Sequence, residues 1–174
     1  IFSFLDEKRY KHCLSVGTLA YKIAISNNLK DPIKYYFAGI VHDIGKNLDN
    51  NSEYINKYLS EEEKKYPKYM YHQFLGYYLV KEIFSLDDEY ILNAIKYHCS
   101  GRKNMSAIEK IIYASDKIDP LRGYDSSYMI EAMLNNFEMG FILVLGENRK
   151  FINNKKLKYS DNKLTEECYE YYLK

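Results

Sequence analysis

The sequence predicts an all-α fold, a compact multi-helix bundle, and three observations lead to that prediction. Apolar residues such as Leu5, Val16, Leu19 and Ile23 recur at helical spacing, whereas the alternation typical of strands is nearly absent. The 174 residues include only three prolines and eight glycines, the residues that most often interrupt helices. Capping signatures precede several of the apolar stripes. Since domains average roughly 150 residues, we expect one domain over residues 1–174.

Individual helices are predicted from apolar stripes and from the residues that start or stop them. Asp31-Pro32 has the pattern of an N-cap followed by proline in the first turn. Ser60–Glu63 and Ser106–Glu109 have capping-box spacing, the first for a short helix, and Pro120 ends the helix that the second box opens. The predicted helices cover about 4–27, 32–46, 68–85, 88–99, 107–119, 126–146 and 163–173.

Charge and cysteine content argue against several classes of protein. Lys plus Arg total 25 and Asp plus Glu total 24, which gives a net charge of +1, so we expect no nucleic-acid and no membrane partner. The stretch Arg149–Lys158 is interpreted as a solvated loop or frayed helix, too short for a nucleic-acid motif. Three cysteines without C-x-x-C spacing and the lack of an 18-residue apolar run argue against a disulfide framework, a zinc ribbon and a transmembrane helix. With no visible signal peptide, a cytoplasmic location is expected. The oligomeric state, monomer or homodimer, stays open.

Six side chains that can bind metal are predicted to point into the bundle. Each of the four histidines falls on the apolar stripe of a different predicted helix, and two aspartates share this inward placement. A lone ionised carboxylate in a protein core is costly unless a cation compensates it. One or two divalent metals would compensate the whole set. The predicted metal ligands are His12, His42, Asp43, His72, His98 and Asp116.

Each of these residues, taken singly, also has a simpler explanation. An inward histidine is more often a hydrogen-bonded core residue than a metal ligand. Asp43 could cap a helix or pair with Lys46. Asp116 could pair with Lys117 or Arg122. These explanations become weak in combination, because no histidine of the chain is left for the surface.

The segment His42-Asp43-Ile44-Gly45-Lys46 adds a geometric argument. Adjacent helical positions diverge by about 100°, so His42 and Asp43 could hold a metal cluster from two sides, and the two oxygens of Asp43 could bridge two metals. Lys46 lies one turn after His42 and could hold an anion at the metal, most simply a phosphate. The candidate catalytic residues are therefore His42, Asp43 and Lys46. Arg122, with Arg102 or Lys103, could join Lys46 in binding phosphates, and the alternative for these three residues is an ordinary solvated face.

The full series of residues resembles a known family along nearly the whole chain. Arg9-x-x-His12, His42-Asp43-x-Gly45-Lys46, His72, His98 and Asp116 resemble the motifs of the HD-domain metal-dependent phosphohydrolase superfamily. Within it, the chain resembles the bacterial YqeK-type branch, the symmetrical bis(5'-nucleosyl)-tetraphosphatases. That closer resemblance rests on Arg9–His12, on His98–Gly101 followed by Met105, and on Ser115–Arg122.

The chain departs mildly from the pattern of that branch, and no departure removes a predicted ligand. Cys99-Ser100 stands where two threonines are usual, and Gln73 stands where glycine is common. Ser115 and Asp119 stand where alanine and glutamate are usual.

The resemblance implies a two-metal centre and a reaction. His12, His42, Asp43 and Asp116 would hold one metal, and Asp43 would bridge to a second metal held by His72 and His98. The metal is typically iron, although manganese, cobalt, nickel and zinc also suit these ligand types. The implied substrate is a dinucleoside polyphosphate: diadenosine tetraphosphate and water give two ADP.

The chemistry of such a centre follows from general principles. Two metals roughly 3.5–4 Å apart lower the pKa of a bridging water and supply a hydroxide that attacks phosphorus. The alternatives are an HD phosphohydrolase acting on a nucleoside mono- or triphosphate or another phosphoester, and a non-catalytic HD signalling module.

Overall fold

The structure is a computed structural model that describes residues 4–154 and 162–174. Within these residues all regular structure is helical, which confirms the predicted all-α class. Short turns and 3-10 segments connect the helices. The α-helices are α1 (Glu7–Ser26), α2 (Pro32–Val41), α3 (Ser52–Tyr58), α4 (Tyr71–Ile83), α5 (Glu89–Lys96), α6 (Ala107–Lys117), α7 (Ser127–Asn135), α8 (Phe137–Asn154) and α9 (Lys163–Tyr172). In the described part of the chain, none of them combines the length and hydrophobicity that crossing a bilayer requires.

The crossing of α1 and α2 fixes one side of the later site. A Cβ atom on Gly39 of α2 would lie 2.5 Å from the Cα atom of Gly17 on α1, so the two backbones are in direct contact and only glycine fits there. This close crossing brings the ring of His12 to 5.2 Å from the ring of His42, measured between centroids. Helix α6 packs on both α1 and α5 and is buried along most of its length. It therefore forms the central helix of the bundle.

Two helices that carry predicted ligands are shorter than the sequence suggested. Helix α2 ends at Val41 and α5 ends at Lys96, so His42, Asp43 and His98 lie in turns that follow helices rather than inside them. The first turn packs on the start of α4, because a Cβ on Gly45 would lie 2.5 Å from the backbone oxygen of His72. The prediction that His42 and Asp43 occupy adjacent positions of a helix is therefore wrong. Packing of their turn against α4 determines where the two side chains lie.

The N-cap expected at Asp31 does not form. Asp31 precedes α2 in the left-handed region, with φ of 52°, and its side chain makes no capping hydrogen bond. Pro32 does occupy the first turn, as predicted. The Ser106–Glu109 capping box is present in full at the start of α6. At the other predicted box, the backbone N–H of Ser60 donates to the Glu63 carboxylate, and the backbone N–H of Glu63 donates to Ser60 Oγ. Only a short 3-10 helix follows, because Tyr66 precedes Pro67 and is extended, which ends the helix.

The predicted helix over 126–146 is two helices, α7 and α8, divided at Asn136, whose φ of −158° is extended. The side chain of Asn27, at the end of α1, joins their ends. Its Nδ2 donates to the backbone oxygen of Met133 at 2.9 Å, and its Oδ1 accepts from the backbone N–H of Phe137 at 3.0 Å. These are groups that a continuous helix would pair internally. The Lys- and Asn-rich stretch at 149–158 is helical through Asn154, and its remaining residues lie outside the described part of the chain.

One buried ion pair ties α5 to the loop before α4. The Glu63 carboxylate lies 2.8 Å from Lys96 Nζ and accepts hydrogen bonds from Ser60 and from the hydroxyl of Tyr78. Burial raises the pKa of Glu63, but the hydrogen bonds from Lys96 and Ser60 outweigh burial and lower the pKa below its usual value. The ionised form is therefore favoured in the folded state.

The pH dependence of stability follows from this lowered pKa. Glu63 stabilises the fold above its unfolded pKa of about 4.3, and this contribution is lost as pH falls through the lower folded pKa. We expect Glu63→Gln to reduce the free energy of unfolding at pH 7 by about 1–3 kcal/mol. The difference from the wild type should shrink below about pH 4. Urea denaturation at a series of pH values measures both the loss of stability at pH 7 and its decrease at low pH. The control is Glu61→Gln, on a largely exposed side chain paired with Lys64, which should leave stability unchanged. An effect of Glu63→Gln that does not change with pH would contradict the expectation.

Candidate metal centre

The structure brings all six predicted metal ligands together in the interior of the bundle. Helix α1 supplies His12, the turn after α2 supplies His42 and Asp43, and α4 supplies His72 in its first turn. The turn after α5 supplies His98, and Asp116 comes from the last turn of α6. All are buried except His12, whose side chain is 12% exposed.

The donor atoms form two groups that share a region. In the first group, Asp116 Oδ1 lies 3.1 Å from His12 Nε2 and 3.6 Å from His42 Nε2. Ligand atoms of these three residues all lie within 4.8 Å of one another, an arrangement that can hold a metal ion.

The second group consists of His42, Asp43 and His98, so it shares His42 with the first. Asp43 Oδ1 lies 3.4 Å from His98 Nε2 and 3.6 Å from His72 Nε2, while Asp43 Oδ2 lies 3.7 Å from His42 Nε2. The Nε2 atoms of His72 and His98 are 3.2 Å apart. The two oxygens of one carboxylate thus face two sets of imidazoles, which is the geometry that a bridging ligand needs.

Hydrogen bonds at Nδ1 orient all four imidazoles, and His72 differs from the other three because its Nδ1 accepts from Lys46 Nζ at 3.4 Å. The Nδ1–H of His42 donates to the backbone oxygen of Gly39 at 2.7 Å, and that of His98 donates to Ile95 at 2.8 Å. These oxygens belong to the last turns of α2 and α5, where backbone carbonyls lack helical partners. His12 Nδ1 lies 2.6 Å from Asp119 Oδ2. With Nδ1 as the donor, the Nε2 atoms of His12, His42 and His98 keep their lone pairs for a metal.

Asp119 is a site residue that the sequence analysis noted only as a departure from the family pattern. It is fully buried, and besides His12 it accepts hydrogen bonds from Ser15 Oγ at 2.5 Å and from the backbone N–H of Leu121 at 3.3 Å. Burial raises the pKa of Asp119, but the hydrogen bonds from His12 and Ser15 outweigh burial and lower it. The only sequence signal was an aspartate three residues after a predicted ligand, beyond the end of α6.

The carboxylates of the centre also have cationic partners. Arg9 Nη1 lies 2.7 Å from Asp43 Oδ2, although the sequence offered Lys46 as the alternative partner of Asp43. Asp116 pairs with both Lys117, at 2.8 Å, and Arg122. The pairing of Asp116 with Lys117 or Arg122, which the sequence left open as an alternative, is therefore present, and protein cations supply part of the charge that compensates these carboxylates. Arg9 joins Asp119 as a contact of the site that the ligand prediction did not include.

The ionisation states of the buried groups follow from these contacts. Burial raises the pKa of both Asp43 and Asp116, but nearby charges outweigh it: His42 lowers the pKa of Asp43, and Lys117 and Arg122 lower that of Asp116. Both carboxyls are thus ionised. Burial lowers the pKa of His72 and His98, which favours the neutral form of both imidazoles.

The other two histidines have the opposite shift. Burial lowers the pKa of His42 and of His12, but the charge of Asp43 and the Asp116 carboxylate, 3.6 Å from Nε2, raise that of His42 well above its ordinary value. Hydrogen bonds with Asp116 and Asp119 raise the pKa of His12. Metal binding at these two residues would therefore compete with protons.

Three features of the site fit a metal. His42 Nε2 is buried and has no hydrogen-bond partner among the described residues, although a buried nitrogen without a partner is costly. Four imidazoles and two carboxylates are the donors that first-row transition metals prefer. The donor separations of 3.1–3.7 Å match those around a shared ion whose metal–ligand distances are about 2.1 Å. The residues present therefore fit a divalent metal.

A cavity of about 410 Å³, here called the central cavity, opens over these groups. Among its lining residues are the four cationic side chains of Arg9, Lys46, Lys117 and Arg122. Lys46 Nζ lies 3.4 Å from His72 Nδ1 and 3.6 Å from the carboxylate of Asp49. The opening over the centre thus has four cationic side chains and two carboxylates, those of Asp43 and Asp116, in its lining.

Two predicted phosphate-binding residues are not brought to the central cavity. Arg102 Nε is bound to Glu109 at 2.6 Å, and its guanidinium lies over the ring of Tyr97. Lys103 Nζ is on the surface, 3.7 Å from Glu167. Neither lines the central cavity. The turn after α5 directs both away from the metal ligands, and sequence spacing could not show this.

Two departures from the family pattern contact each other. Gln73, beside His72, accepts hydrogen bonds through Oε1 from the backbone N–H groups of Cys99 and Ser100, both at 3.2 Å. Its Nε2 donates to Ser100 Oγ. Gln73 therefore holds the turn that carries His98 against the start of α4, which carries His72.

Comparisons with known proteins agree with this geometry. The model of the HD domain matches residues 9–121, a span that begins at Arg9 and contains all six donors. The chain belongs to the HD-domain family. The fold is similar to a crystal structure from Clostridium acetobutylicum, described as a predicted HD superfamily hydrolase involved in NAD metabolism. The two sequences are 32% identical, and the superposition has a TM-score of 0.82 and covers 98% of this chain and 92% of that one.

Relatives of this HD domain carry names that describe an activity. A symmetrical bis(5'-nucleosyl)-tetraphosphatase of Halalkalibacterium halodurans is 37% identical over 123 residues, 69% of this chain and 65% of that protein. A probable nicotinate-nucleotide adenylyltransferase/Ap4A hydrolase of Mycoplasma genitalium is 32% identical over 161 residues, 87% of this chain and 44% of that protein. The HD domain thus spans less than half of the Mycoplasma relative and just under two thirds of the Halalkalibacterium relative.

Proposed function

We propose that this HD domain is a metal-dependent phosphohydrolase that splits dinucleoside tetraphosphates symmetrically, so that diadenosine tetraphosphate and water give two ADP. The observation that carries the proposal is the pair of His/Asp groups that share His42, with Asp43 facing three imidazoles, beneath a cavity with four cationic side chains. The names of the Halalkalibacterium and Mycoplasma relatives support this choice of substrate.

The proposed metal ligands divide the six donors into two sets that share Asp43. His12, His42, Asp43 and Asp116 would hold one ion, and Asp43 with His72 and His98 would hold the second. When bound, two such ions lower the pKa of coordinated water and withdraw electron density from phosphoryl oxygens. Iron is the proposed metal, and manganese, cobalt, nickel and zinc are suited by the same donors.

The remaining residues of the site would bind the substrate. Lys46 and Lys117, with Arg9 and Arg122, line the cavity where the phosphates would lie and can offset their negative charge. The leaving group is a phosphate with a second pKa of about 6, so it can leave as an anion. A strong general acid is therefore not required, which suits a site whose four imidazoles would all be metal ligands.

We also propose that residues 1–174 form a single domain. Support comes from the packing of the C-terminal helices on the central helix. The ring of Phe141 in α8 lies 5.8 Å from Tyr113 in α6 and 5.0 Å from Tyr172 in α9, measured between centroids.

Product analysis tests the proposed function. We expect the metal-loaded protein to convert diadenosine tetraphosphate into ADP alone, as resolved by anion-exchange chromatography. A chelator should abolish turnover, and re-addition of iron or manganese should restore it. Formation of AMP and ATP would contradict symmetrical cleavage. Turnover of mono- or triphosphates only would favour a different phosphohydrolase, and no turnover of any nucleotide by metal-loaded protein would favour a non-catalytic module.

A further inference from the structure

The turn that carries His98 is contacted by a helix that comes much later in the sequence. This turn, residues 97–101 and here called the His98 turn, directly follows α5. Helix α9 comes four helices later and lies outside residues 9–121, the span that matches the HD-domain model. Nevertheless, α9 packs against the His98 turn and against the segment that leads from this turn to α6.

Three side chains of α9 make these contacts. A Cβ atom on Gly101 would lie 2.7 Å from Cys168 Sγ, so the helix approaches the His98 turn closely at this glycine, whose φ of 66° is left-handed. The hydroxyl oxygen of Tyr172 accepts a hydrogen bond from the backbone N–H of Met105 at 2.6 Å. Thr165 makes the third contact. Spacings of three and four residues place the three side chains on one face of α9.

Ser100 is the residue of the His98 turn that depends most on other elements. Its backbone N–H donates to Gln73 Oε1 of α4 at 3.2 Å, and its backbone oxygen accepts from Thr165 Oγ1 of α9 at 3.1 Å. All three residues are buried. Because buried backbone groups without partners are costly, the conformation of the turn depends on these two side chains, which come from two different helices.

The position of this turn determines where the imidazole of His98 lies. His98 Nε2 is 3.4 Å from Asp43 Oδ1 and 3.2 Å from His72 Nε2. The hydrogen bond from Nδ1 to the backbone oxygen of Ile95 orients the ring, whereas the location of the ring follows the backbone of the His98 turn. Since metal sites require their donors to be held within about 0.5 Å, a small displacement of the turn would separate His98 from the other two donors.

From these contacts we propose that Thr165 and Gln73 are positioning residues of the metal centre, and that α9 is therefore part of the structure that binds metal. Thr165 and Gln73 act through Ser100, which they hold by its backbone oxygen and its backbone N–H. The inference rests on the proposed function, because it concerns the ion assigned there to Asp43, His72 and His98. Loss of either side chain should weaken the binding of this ion more than that of the other ion.

The experiment titrates the metal-free full chain with manganese(II) by isothermal titration calorimetry. His98→Ala identifies the binding step of the ion that His98 holds, because this variant should lose that step. Thr165→Val replaces the hydroxyl by a methyl group, and Gln73→Met replaces the amide by a thioether. Each should lower the affinity of the His98 step by about 10- to 100-fold, the usual effect of removing a group that orients a ligand, and change the other step by less than about threefold.

Two further variants separate positioning from a general structural role. Thr165→Ser keeps the hydroxyl and should recover most of the affinity. Thr18→Val is the matched control, since Thr18 is exposed and its Oγ1 donates to the backbone oxygen of Leu14 within α1, at 2.8 Å. Urea denaturation of each metal-free variant measures stability separately from metal binding.

Each outcome has a distinct meaning. Selective weakening of the His98 step in Thr165→Val and Gln73→Met, with recovery in Thr165→Ser, would support the inference. Affinities equal to those of Thr18→Val, or a weakening of both steps that Thr165→Ser does not reverse, would overturn it. If the wild type bound fewer than two manganese ions, the two-metal centre and this inference would both be overturned. If the wild type bound two ions but left diadenosine tetraphosphate intact, only the proposed function would fail.

Discussion

Replacing Asp43 with alanine is expected to remove metal and hydrolytic activity together while the helical circular dichroism signal is retained. Asp43 is the one residue whose two oxygens face both sets of imidazoles, at 3.4–3.7 Å from His42, His72 and His98. Its loss would remove a donor from each group of the proposed centre. Metal catalysis is worth several kcal/mol, so we expect kcat to fall by about 10³-fold or more.

The measurement combines elemental analysis of purified protein with single-substrate kinetics. The fold should survive, because the Arg9 side chain that Asp43 leaves unpaired is about one third exposed and can be solvated. Asp87→Asn is the matched control: this exposed aspartate pairs with Lys81 on the surface, and its substitution should change neither metal content nor kcat. An Asp43→Ala protein that keeps both metal and activity would refute the proposed centre.

Asp119→Asn is expected to lower metal affinity or activity by about 10- to 100-fold, the usual effect of removing a group that orients a ligand. Asp119 Oδ2 accepts from His12, while Oδ1 accepts from Ser15 and from the backbone N–H of Leu121. The asparagine amide has only one acceptor oxygen. If the amide NH₂ group faces His12, His12 Nδ1 must accept, which favours the tautomer with the proton on Nε2. If the NH₂ group faces Leu121 instead, two donors, the amide NH₂ and the backbone N–H of Leu121, oppose each other.

Rescue distinguishes this positioning role from a general loss of stability. Asp119→Glu keeps a carboxylate, the group usual at this position in the branch that the sequence resembles, and should recover most of the metal affinity. Metal titration by calorimetry and urea denaturation of the metal-free protein provide the two readouts. Equal losses of metal affinity in the Asn and Glu variants, or a loss of stability without a loss of affinity, would contradict the positioning role.

The sequence predicted the helices best where local signals are strong. The capping box at Ser106 and Glu109 formed as predicted because both partners lie within one turn of α6. The predicted helix over 126–146 was wrong because its break depends on Asn27, more than a hundred residues earlier in the chain. The ends of α2 and α5 were also predicted wrongly because they depend on long-range contacts: the turn after each helix packs against α4.

The residues around the centre also divide into those that local sequence predicts and those whose roles depend on contacts with distant residues. Arg9 and Asp119 were part of recognisable motifs, but their roles depend on partners in other elements, Asp43 and His12. Arg102 and Lys103 were proposed as cations that could neutralise the phosphates of the substrate. The chain turns after His98, and Glu109 binds Arg102 instead.

The sequence by itself indicated that the six donors lie inside this protein, because each falls within or beside a run of apolar residues at helical spacing. That periodicity holds in the structure for His12, His72 and Asp116, which lie in helices, whereas His42, Asp43 and His98 are buried in the turns that follow α2 and α5. Only the tertiary structure decided which donor faces which, which nitrogen of each imidazole is free, and which cation neutralises each carboxylate. Those properties depend on distances between separate helices, and packing, including the contact between Gly17 and Gly39, determines these distances.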